Sequence, residues 1–209
     1  MMFHTRFAQS FVVSLALLAA TSACGDVVRQ GGSPVFLVVD SLQAAAGGGH
    51  GAGTFGTGLL SAVLVLVTSP APCTPTNPCP TVFDDVGRMV VHLDPKAVGV
   101  APTSNNQVTL TRYHVAFRRA DGRNTPGVDV PFGFDGAVTV TVPPSGSTTF
   151  GFELVRHVTK EESPLVQLIV NPNIINTIAD VTVYGTDQVG NAMSVTGSIS
   201  IEFGNFGDQ

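Results

Sequence analysis

The sequence contains no tryptophan, two tyrosines and only ten lysines and arginines among 209 residues. Charged residues amount to 12% of the chain, and the formal net charge is −5. A nucleic-acid-binding surface needs clustered Lys and Arg side chains, so this scarcity of cations excludes nucleic acid as a partner. The sequence also lacks a G-x-S-x-G element, an H-E-x-x-H pair, a D-x-D-x-D loop and a Gly-Lys-Ser/Thr. We therefore predict no enzyme activity, no cofactor and no dedicated metal centre.

Glycine and proline are abundant, with 23 and 14 residues. Such a composition can accompany disorder, but the dense Val, Ile and Phe content predicts a folded β protein with many turns. The run Gly51-Ala-Gly-Thr-Phe-Gly56 has the G-x-G-x-x-G spacing of dinucleotide-binding turns. That turn must open a helix and be followed by an acidic residue about 20 positions on. Neither follows here, so we interpret the run as a surface loop.

The first 24 residues have the pattern of an export signal. An apolar run over 11–20, too short to span a hydrocarbon layer of about 30 Å, is followed by small residues that lead into a cysteine. The quartet Thr21-Ser22-Ala23-Cys24 resembles the lipobox of bacterial lipoproteins. That resemblance implies removal of 1–23, acylation of Cys24 and membrane anchoring through the lipid. By the same resemblance, Gly25 after the cysteine implies the outer membrane. The alternative is an ordinary secretory signal that leaves Cys24 free.

The remaining chain is long enough for one sizeable domain. We predict a lipidated tether over 24–33 and a single domain over 34–209. With Cys24 assigned to lipid, Cys73 and Cys79 remain as an even pair in a proline-rich loop. Exported proteins form disulfides in an oxidising compartment. We predict a Cys73–Cys79 bond that contributes about 2 kcal/mol in the chain-entropy model.

Apolar and polar residues alternate at period two in several segments, which predicts half-buried strands. The clearest segment is 193–203, where Met, Val, Gly, Ile, Ile and Phe alternate with polar residues. In 108–119, Tyr113, Val115 and Phe117 face one side. Further strands are predicted at 34–39, 59–67, 87–93, 138–142, 150–154 and 179–185, and a short helix after Pro164 with Leu165, Leu168 and Ile169 at helical spacing.

The last two strands are joined by the turn Thr186-Asp-Gln-Val-Gly-Asn191. A turn of this kind, between a tyrosine-bearing strand and a final strand, resembles the terminal hairpin of bacterial immunoglobulin-like and fibronectin-III-like domains. The resemblance implies an all-β fold, an immunoglobulin-like antiparallel β-sandwich, which the number of short strands also favours. The chain as a whole resembles uncharacterised bacterial lipoproteins, a resemblance that implies no activity.

Two sets of polar residues are candidate metal ligands. His92, His114 and His157 each fall on the predicted polar face of a strand, where adjacent strands could bring the imidazoles together for zinc or copper. Solvated histidines explain the same pattern. Four aspartates in predicted turns could offer oxygens to calcium, although Asp in turns also caps the local backbone. They are Asp121, Asp129, Asp135 and Asp187.

Phe132 and Phe134, in a loop over 124–136, are the candidate binding residues, because exposed aromatic side chains in loops mark contact surfaces. Both rings could instead cover the end of the core. We expect a membrane-anchored lipoprotein of the bacterial cell envelope that binds an envelope protein or a surface polymer without catalysis. The alternative function is a periplasmic carrier of a small ligand or a metal.

Overall fold

The computed structural model describes residues 32–49, 51–97, 99 and 101–206. The described chain forms ten strands and three short helices. The strands are β1 (Val35–Ala45), β2 (Gly58–Ala62), β3 (Val65–Val67), β4 (Cys79–Thr81), β5 (Asp85–Pro95), β6 (Val108–Arg118), β7 (Phe134–Val142), β8 (Ser147–Val155), β9 (Ile175–Asp187) and β10 (Ala192–Gly204). The helices are the 3-10 helix η1 (Ser104–Asn106), the α-helix α1 (His157–Glu161) and the 3-10 helix η2 (Leu165–Ile169).

The strands form two large sheets and one separate hairpin. The first large sheet has the order β1-β5-β8, the second has the order β2-β10-β9-β6-β7, and β3 pairs with β4. Neighbouring strands are antiparallel, except that β2 runs parallel to β10. The predicted all-β fold is confirmed.

The two large sheets pack face to face over one apolar core. Tyr113 of β6 contacts Phe152 of β8 with ring centroids 5.1 Å apart, so an aromatic pair crosses from sheet to sheet. At Gly197 of β10 an added Cβ would lie 3.4 Å from Leu42 of β1, so the sheets are in close contact there as well. This arrangement is a β-sandwich. Its immunoglobulin-like subclass stays a prediction based on the terminal hairpin.

The predicted alternation places most side chains correctly. In β10, a large apolar side chain such as Ile201 is fully buried, whereas Ser200 beside it is exposed. The predicted inward rows of β6 and β8 are likewise buried, and they comprise Tyr113, Val115, Phe117, Phe150, Phe152 and Leu154. The final hairpin is also confirmed, since β9 and β10 pair in continuous antiparallel register.

Three local predictions were wrong. The loop predicted over 124–136 ends earlier, because β7 begins at Phe134 and its first residues pair with β6. The apolar run 59–67 is two strands, because β2 pairs with β10 whereas Val65 turns away to pair with Thr81 of β4. His157 is the first residue of α1 and does not lie on a strand. Its backbone N–H donates to Asp84 Oδ1 at 2.5 Å, which satisfies a helix-start donor that a strand would have used in a ladder. Among the described residues, no helix has the length and hydropathy needed to cross a membrane.

The sandwich has two unlike ends. The chain enters beside the β9–β10 turn, since a Cβ added at Gly32 would lie 2.7 Å from Asn191 Oδ1; we call this the entry end. In the antiparallel pairing of β6 with β9, Val108 lies opposite Asp187 and Arg118 lies opposite Ile178. The loop 119–133 therefore emerges at the other end, which we call the distal end. A strand of 13 residues such as β9 spans about 40 Å.

Candidate functional surface

The predicted disulfide is confirmed, since Cys73 and Cys79 are bonded with Cα atoms 5.3 Å apart. Cys79 opens β4, so the bond secures the loop that joins β3 to β4. This hairpin follows β2, whose last residue Ala62 lies opposite Gly204 at the distal end. The bond therefore stiffens a distal connection. The predicted lipidation site, Cys24, lies outside the described residues, as do the signal segment 1–23 and most of the tether.

The distal loop 119–133 is held in shape by charged and polar contacts within it. Asp121 accepts hydrogen bonds from the guanidinium groups of Arg119 at 2.6 Å and Arg123 at 3.1 Å. The bond from Arg119 is the main cause that lowers the pKa of Asp121 far below its ordinary value. Asp129 Oδ2 accepts the backbone N–H of Thr125 at 3.2 Å. These contacts order the loop, and Val130 anchors it in the core.

The two predicted binding residues have different environments. Phe132 is 53% exposed, and its ring lies over Gly127, where an added Cβ would come within 2.5 Å of it. Phe134 opens β7 and is half-buried, with the Arg156 guanidinium 3.9 Å from its ring centroid. Its ring also meets Tyr113 edge-on at 6.3 Å. Phe134 therefore covers the end of the core, while Phe132 presents apolar surface to solvent.

Exposed apolar side chains concentrate at the distal end. Val128 is 66% exposed and lies in the same loop as Phe132. The segment 156–174, which carries α1 and η2, contacts the start of β7 just after this loop, because Arg156 donates to Asp135 O at 2.7 Å. Of the eleven large exposed apolar residues in the described part of the chain, the nine that lie toward the distal end are Leu60, Leu66, Val86, Val128, Phe132, Val158, Val166, Val170 and Ile174. The distal end therefore exposes more large apolar side chains than the entry end does.

The three histidines do not converge. His92 Nδ1 lies 2.5 Å from Asp40 on the β1-β5-β8 sheet, and His114 Nδ1 lies 3.4 Å from Asp135 on the opposite sheet. The described residues contain no group of three or more His, Cys, Asp or Glu side chains arranged to hold a metal. The hypothesis that these three imidazoles come together as zinc or copper ligands is therefore wrong.

His157 is paired separately, with its Nδ1 3.0 Å from Asp84 Oδ1. Burial opposes ionisation of Asp84, but hydrogen bonds from the backbone N–H and the ring of His157 outweigh it and lower the pKa of this carboxyl. The pair thus fastens the start of α1 to the residue that precedes β5.

Three of the four aspartates considered for calcium cap their own turns. Asp187 accepts the backbone N–H of Asn191 at 2.8 Å and of Val189 at 3.1 Å. Asp121 accepts the backbone N–H of Arg123, and Asp129 accepts that of Thr125. Asp135 was predicted in a turn, but it lies in β7 and accepts a hydrogen bond from Arg112 of the neighbouring strand β6 at 2.6 Å.

A buried charged network at the distal end was missed by the sequence analysis. Lys160 of α1 and Asp85 of β5 are each 1% exposed, and Lys160 Nζ lies 2.8 Å from Asp85 Oδ2. Ser61 Oγ donates to the same carboxylate oxygen at 2.6 Å, and the N–H of Gly47 donates to Oδ1 at 3.1 Å. Lys160 precedes Glu161-Glu162 in a polar segment, so the sequence pattern indicated a solvated side chain.

A shallow depression lies on the outer face of the five-stranded sheet toward the entry end. A bulge in β6 shifts its register between Leu110 and Arg112 against both neighbouring strands. The depression has a volume of about 500 Å³. Along its side, the Arg112 guanidinium stacks on the Tyr184 ring at 4.0 Å from the centroid. The same guanidinium is paired with Asp135 at 2.6 Å, so the recess is bordered by an aromatic ring and a charge-paired cation.

Comparisons with known proteins give no family. No protein-family model matches the chain, and no curated protein matches it. One similar solved structure is the X-ray structure of Northeast Structural Genomics Consortium target SoR45, at 9% sequence identity and a TM-score of 0.35. The match covers 80% of this chain and 86% of that one.

Proposed function

We propose that the protein is a lipid-anchored lipoprotein of the bacterial cell envelope whose β-sandwich is a non-catalytic module for binding another envelope protein. The observation that carries this proposal is the polarity of the sandwich. The chain enters at one end, beside Asn191, and apolar side chains such as Phe132 are exposed at the other. A tether over 24–33 would leave the entry end toward the membrane and the distal end free to meet a partner.

Export is supported by two independent features. The quartet that ends at Cys24 follows an apolar run typical of a removed signal. The Cys73–Cys79 disulfide fits an oxidising compartment, because such bonds are rare in the cytosol. Gly25 after the cysteine favours the outer membrane of a two-membrane envelope. An acylated Cys24 with two or more chains would hold the protein on that membrane stably.

A protein partner is supported by the chemistry of the distal end. Val128 and Phe132 project from an ordered loop, and ordered apolar side chains lose little entropy on docking. Aromatic residues dominate the energetics of protein interfaces. A surface polymer is the second outcome that the following experiment distinguishes.

The experiment compares the wild type with Cys24→Ala in intact cells. We expect incorporation of labelled palmitate in the wild type alone, and crosslinking followed by affinity isolation should recover a stoichiometric protein with the wild type. The Cys24→Ala chain should be released from the membrane fraction and lose that partner. Labelling of both forms, or recovery of the bare protein from both, would contradict the proposal. Co-isolated polysaccharide would reassign the partner to a surface polymer.

A small-ligand carrier is the second candidate function, and the depression beside Arg112 and Tyr184 favours it over a metal carrier. Native mass spectrometry of the protein isolated from its own envelope tests it directly. A stoichiometric bound molecule that is lost in Arg112→Ala would support the carrier, while a bare mass would oppose it. Melting that shifts on addition of a chelator would instead support a metal carrier.

A further inference from the structure

We propose that Lys160 and Asp85 condense after folding into an intramolecular amide crosslink. The new bond joins Lys160 Nζ to the side-chain carbonyl carbon of Asp85, and one water molecule leaves. The crosslink would fasten α1 to the first residue of β5 and enclose strands β5 to β8 in a covalent ring. It does not depend on the proposed function.

The reacting groups are already in contact and shielded from bulk water. Lys160 Nζ lies 2.8 Å from Asp85 Oδ2, and both side chains are 1% exposed. The Ala62 carbonyl accepts a second hydrogen bond from Nζ at 3.1 Å, which limits the positions that the amine can take. Well-oriented intramolecular pairs reach effective molarities of roughly 10⁵–10⁸ M. Burial of both partners also restricts the water that would reverse the reaction.

The site holds both carboxyl oxygens in different ways. Oδ1 accepts the N–H of Gly47 at 3.1 Å, which is a donor aimed at the oxygen that becomes negative when the amine attacks. Oδ2 faces both Lys160 Nζ and the Ser61 hydroxyl, at 2.6 Å from the latter. Oδ2 is therefore the leaving oxygen, and Ser61 is placed to relay a proton to it.

The step balances without an oxidant or a co-reactant. One proton moves from the Nζ ammonium to Oδ2, which converts two buried charges into a neutral amine and a neutral carboxyl. The nitrogen lone pair then attacks the carboxyl carbon of Asp85, and the electron pair of the C=O bond moves to Oδ1. A second proton passes from nitrogen to Oδ2 through Ser61. The C–Oδ2 bond breaks, Oδ2 leaves as water, and the C=O bond to Oδ1 re-forms.

The product keeps the hydrogen bonds to Ala62 and Gly47, whereas the Ser61 hydroxyl loses its acceptor when Oδ2 leaves. The amide retains one N–H, which donates to Ala62 O, and its carbonyl oxygen still accepts the N–H of Gly47. The ion pair, by contrast, keeps two full charges out of water, a cost that mutual attraction only partly offsets. Condensation therefore replaces a costly buried pair with a neutral amide whose two polar groups are satisfied.

The test is peptide mapping of the full, processed wild-type protein after isolation, denaturation and reduction. We expect trypsin to fail to cleave after Lys160, and a branched peptide that joins the Lys160 and Asp85 segments with a mass one water below their sum. Recovery of both segments as linear peptides, with normal cleavage after Lys160, would overturn the proposal.

A matched variant identifies the reacting groups. In Asp85→Asn, the same amide would form with loss of ammonia, so the branched peptide should have the mass found in the wild type. In Lys160→Arg, the positive charge remains but the amine nucleophile is absent, and no branched peptide should form. A branched peptide in Lys160→Arg would contradict the assignment of Lys160. Because the first result comes from the wild type, it holds even if either variant folds poorly.

Discussion

Asp187 makes the stability contributed by the β9–β10 turn at the entry end depend on pH. Its carboxylate accepts two backbone N–H groups, from Val189 and Asn191, and the side-chain amide of Asn191 at 2.8 Å. Burial opposes ionisation, but these hydrogen bonds outweigh it and lower the pKa of Asp187. A carboxyl whose pKa is lowered on folding stabilises the fold above the ordinary Asp pKa of about 3.9, and that stability is lost as pH falls through the lower folded value.

We therefore expect Asp187→Asn to lower the free energy of unfolding by about 1–3 kcal/mol at pH 7, since hydrogen bonds to a charged acceptor are lost. The difference from the wild type should narrow as pH falls below about 4, because the Asp187 carboxyl of the unfolded chain is then protonated before the carboxyl of the folded chain. Denaturant unfolding at pH 7 and at acid pH measures both. Asp94→Asn, at a side chain 62% exposed, is the control and should change stability by less than about 0.5 kcal/mol. A difference for Asp187→Asn that is constant across this range would contradict the pH argument.

Individual residues differ in how far the sequence predicts them. Alternation correctly predicts the burial of Tyr113 and Leu154, because a pleated strand sends successive side chains to opposite faces. It gives no information on Lys160, whose burial depends on Asp85, distant in sequence but opposite it in space. Phe132 and Phe134 look equivalent in the sequence. Only the start of β7 between them makes one a loop residue and the other part of the core edge.

At the scale of elements, β6 and β9 approach each other closely at Gly185. An added Cβ there would lie 2.4 Å from the backbone oxygen of Thr109 and 3.0 Å from Leu110 Cα, next to the bulge in β6. Backbone atoms cannot yield as a flexible side chain does. We expect Gly185→Ala to destabilise the fold by about 1–3 kcal/mol or more, because the two strands must separate locally.

Gly151 is the matched control for this prediction. It lies in β8, where an added Cβ would meet only Gly87 O at an ordinary 3.7 Å. We expect Gly151→Ala to be neutral or slightly stabilising, since it also reduces the entropy of the unfolded chain. Thermal and denaturant unfolding should therefore give changes in the free energy of unfolding that differ in sign or in size between the two variants. Equal losses in both would show that strand glycines act through propensity and not through the approach at Thr109.

The β3–β4 hairpin should unfold independently of the sandwich. It forms its own two-stranded sheet, and an isolated hairpin is only marginally stable. We expect the double variant Cys73→Ser with Cys79→Ser to become sensitive to proteolysis within 68–81. The free energy of unfolding of the sandwich should fall by no more than about 2 kcal/mol. Limited proteolysis with mass mapping measures the first, and denaturant unfolding the second. Loss of the main transition would contradict this separation.

Element order is the part of the fold that the sequence predicts least. Strand positions follow from local alternation, and the final hairpin follows from its turn. The pairing of β2 with β10 joins segments far apart in the chain, and its parallel direction has no local signal. The same holds for the break between β2 and β3, because the run 59–67 contains no glycine or proline that would mark an interruption. The chain breaks between β2 and β3 because the two segments pair with different strands, β10 and β4, and not because of their intrinsic strand propensity.

At the scale of the whole molecule, exposed apolar side chains and not loop length distinguish the two ends of the sandwich. The entry end has the short β9–β10 turn and the longer connection 96–107, which carries η1. The distal end has the loop 119–133 and the segment 156–174, and it carries most of the large exposed apolar side chains of the described chain. Arg156 contacts Phe134 and Asp135 at the start of β7, so the segment 156–174 is held against the strand that follows the loop.

This polarity gives a prediction with a control of matching chemistry at the other end. If the distal end binds the partner, Val128→Ser with Phe132→Ser should reduce recovery of the crosslinked partner at least about tenfold, because loss of buried apolar contacts worth about 1.4 kcal/mol or more changes affinity by that factor. Both side chains are exposed, so the melting temperature should hardly change. Val189→Ser removes an apolar side chain 73% exposed in the entry-end turn, and it should leave recovery unchanged. Equal losses in the distal double variant and Val189→Ser, or full recovery with the double variant, would show that the partner does not select the distal end.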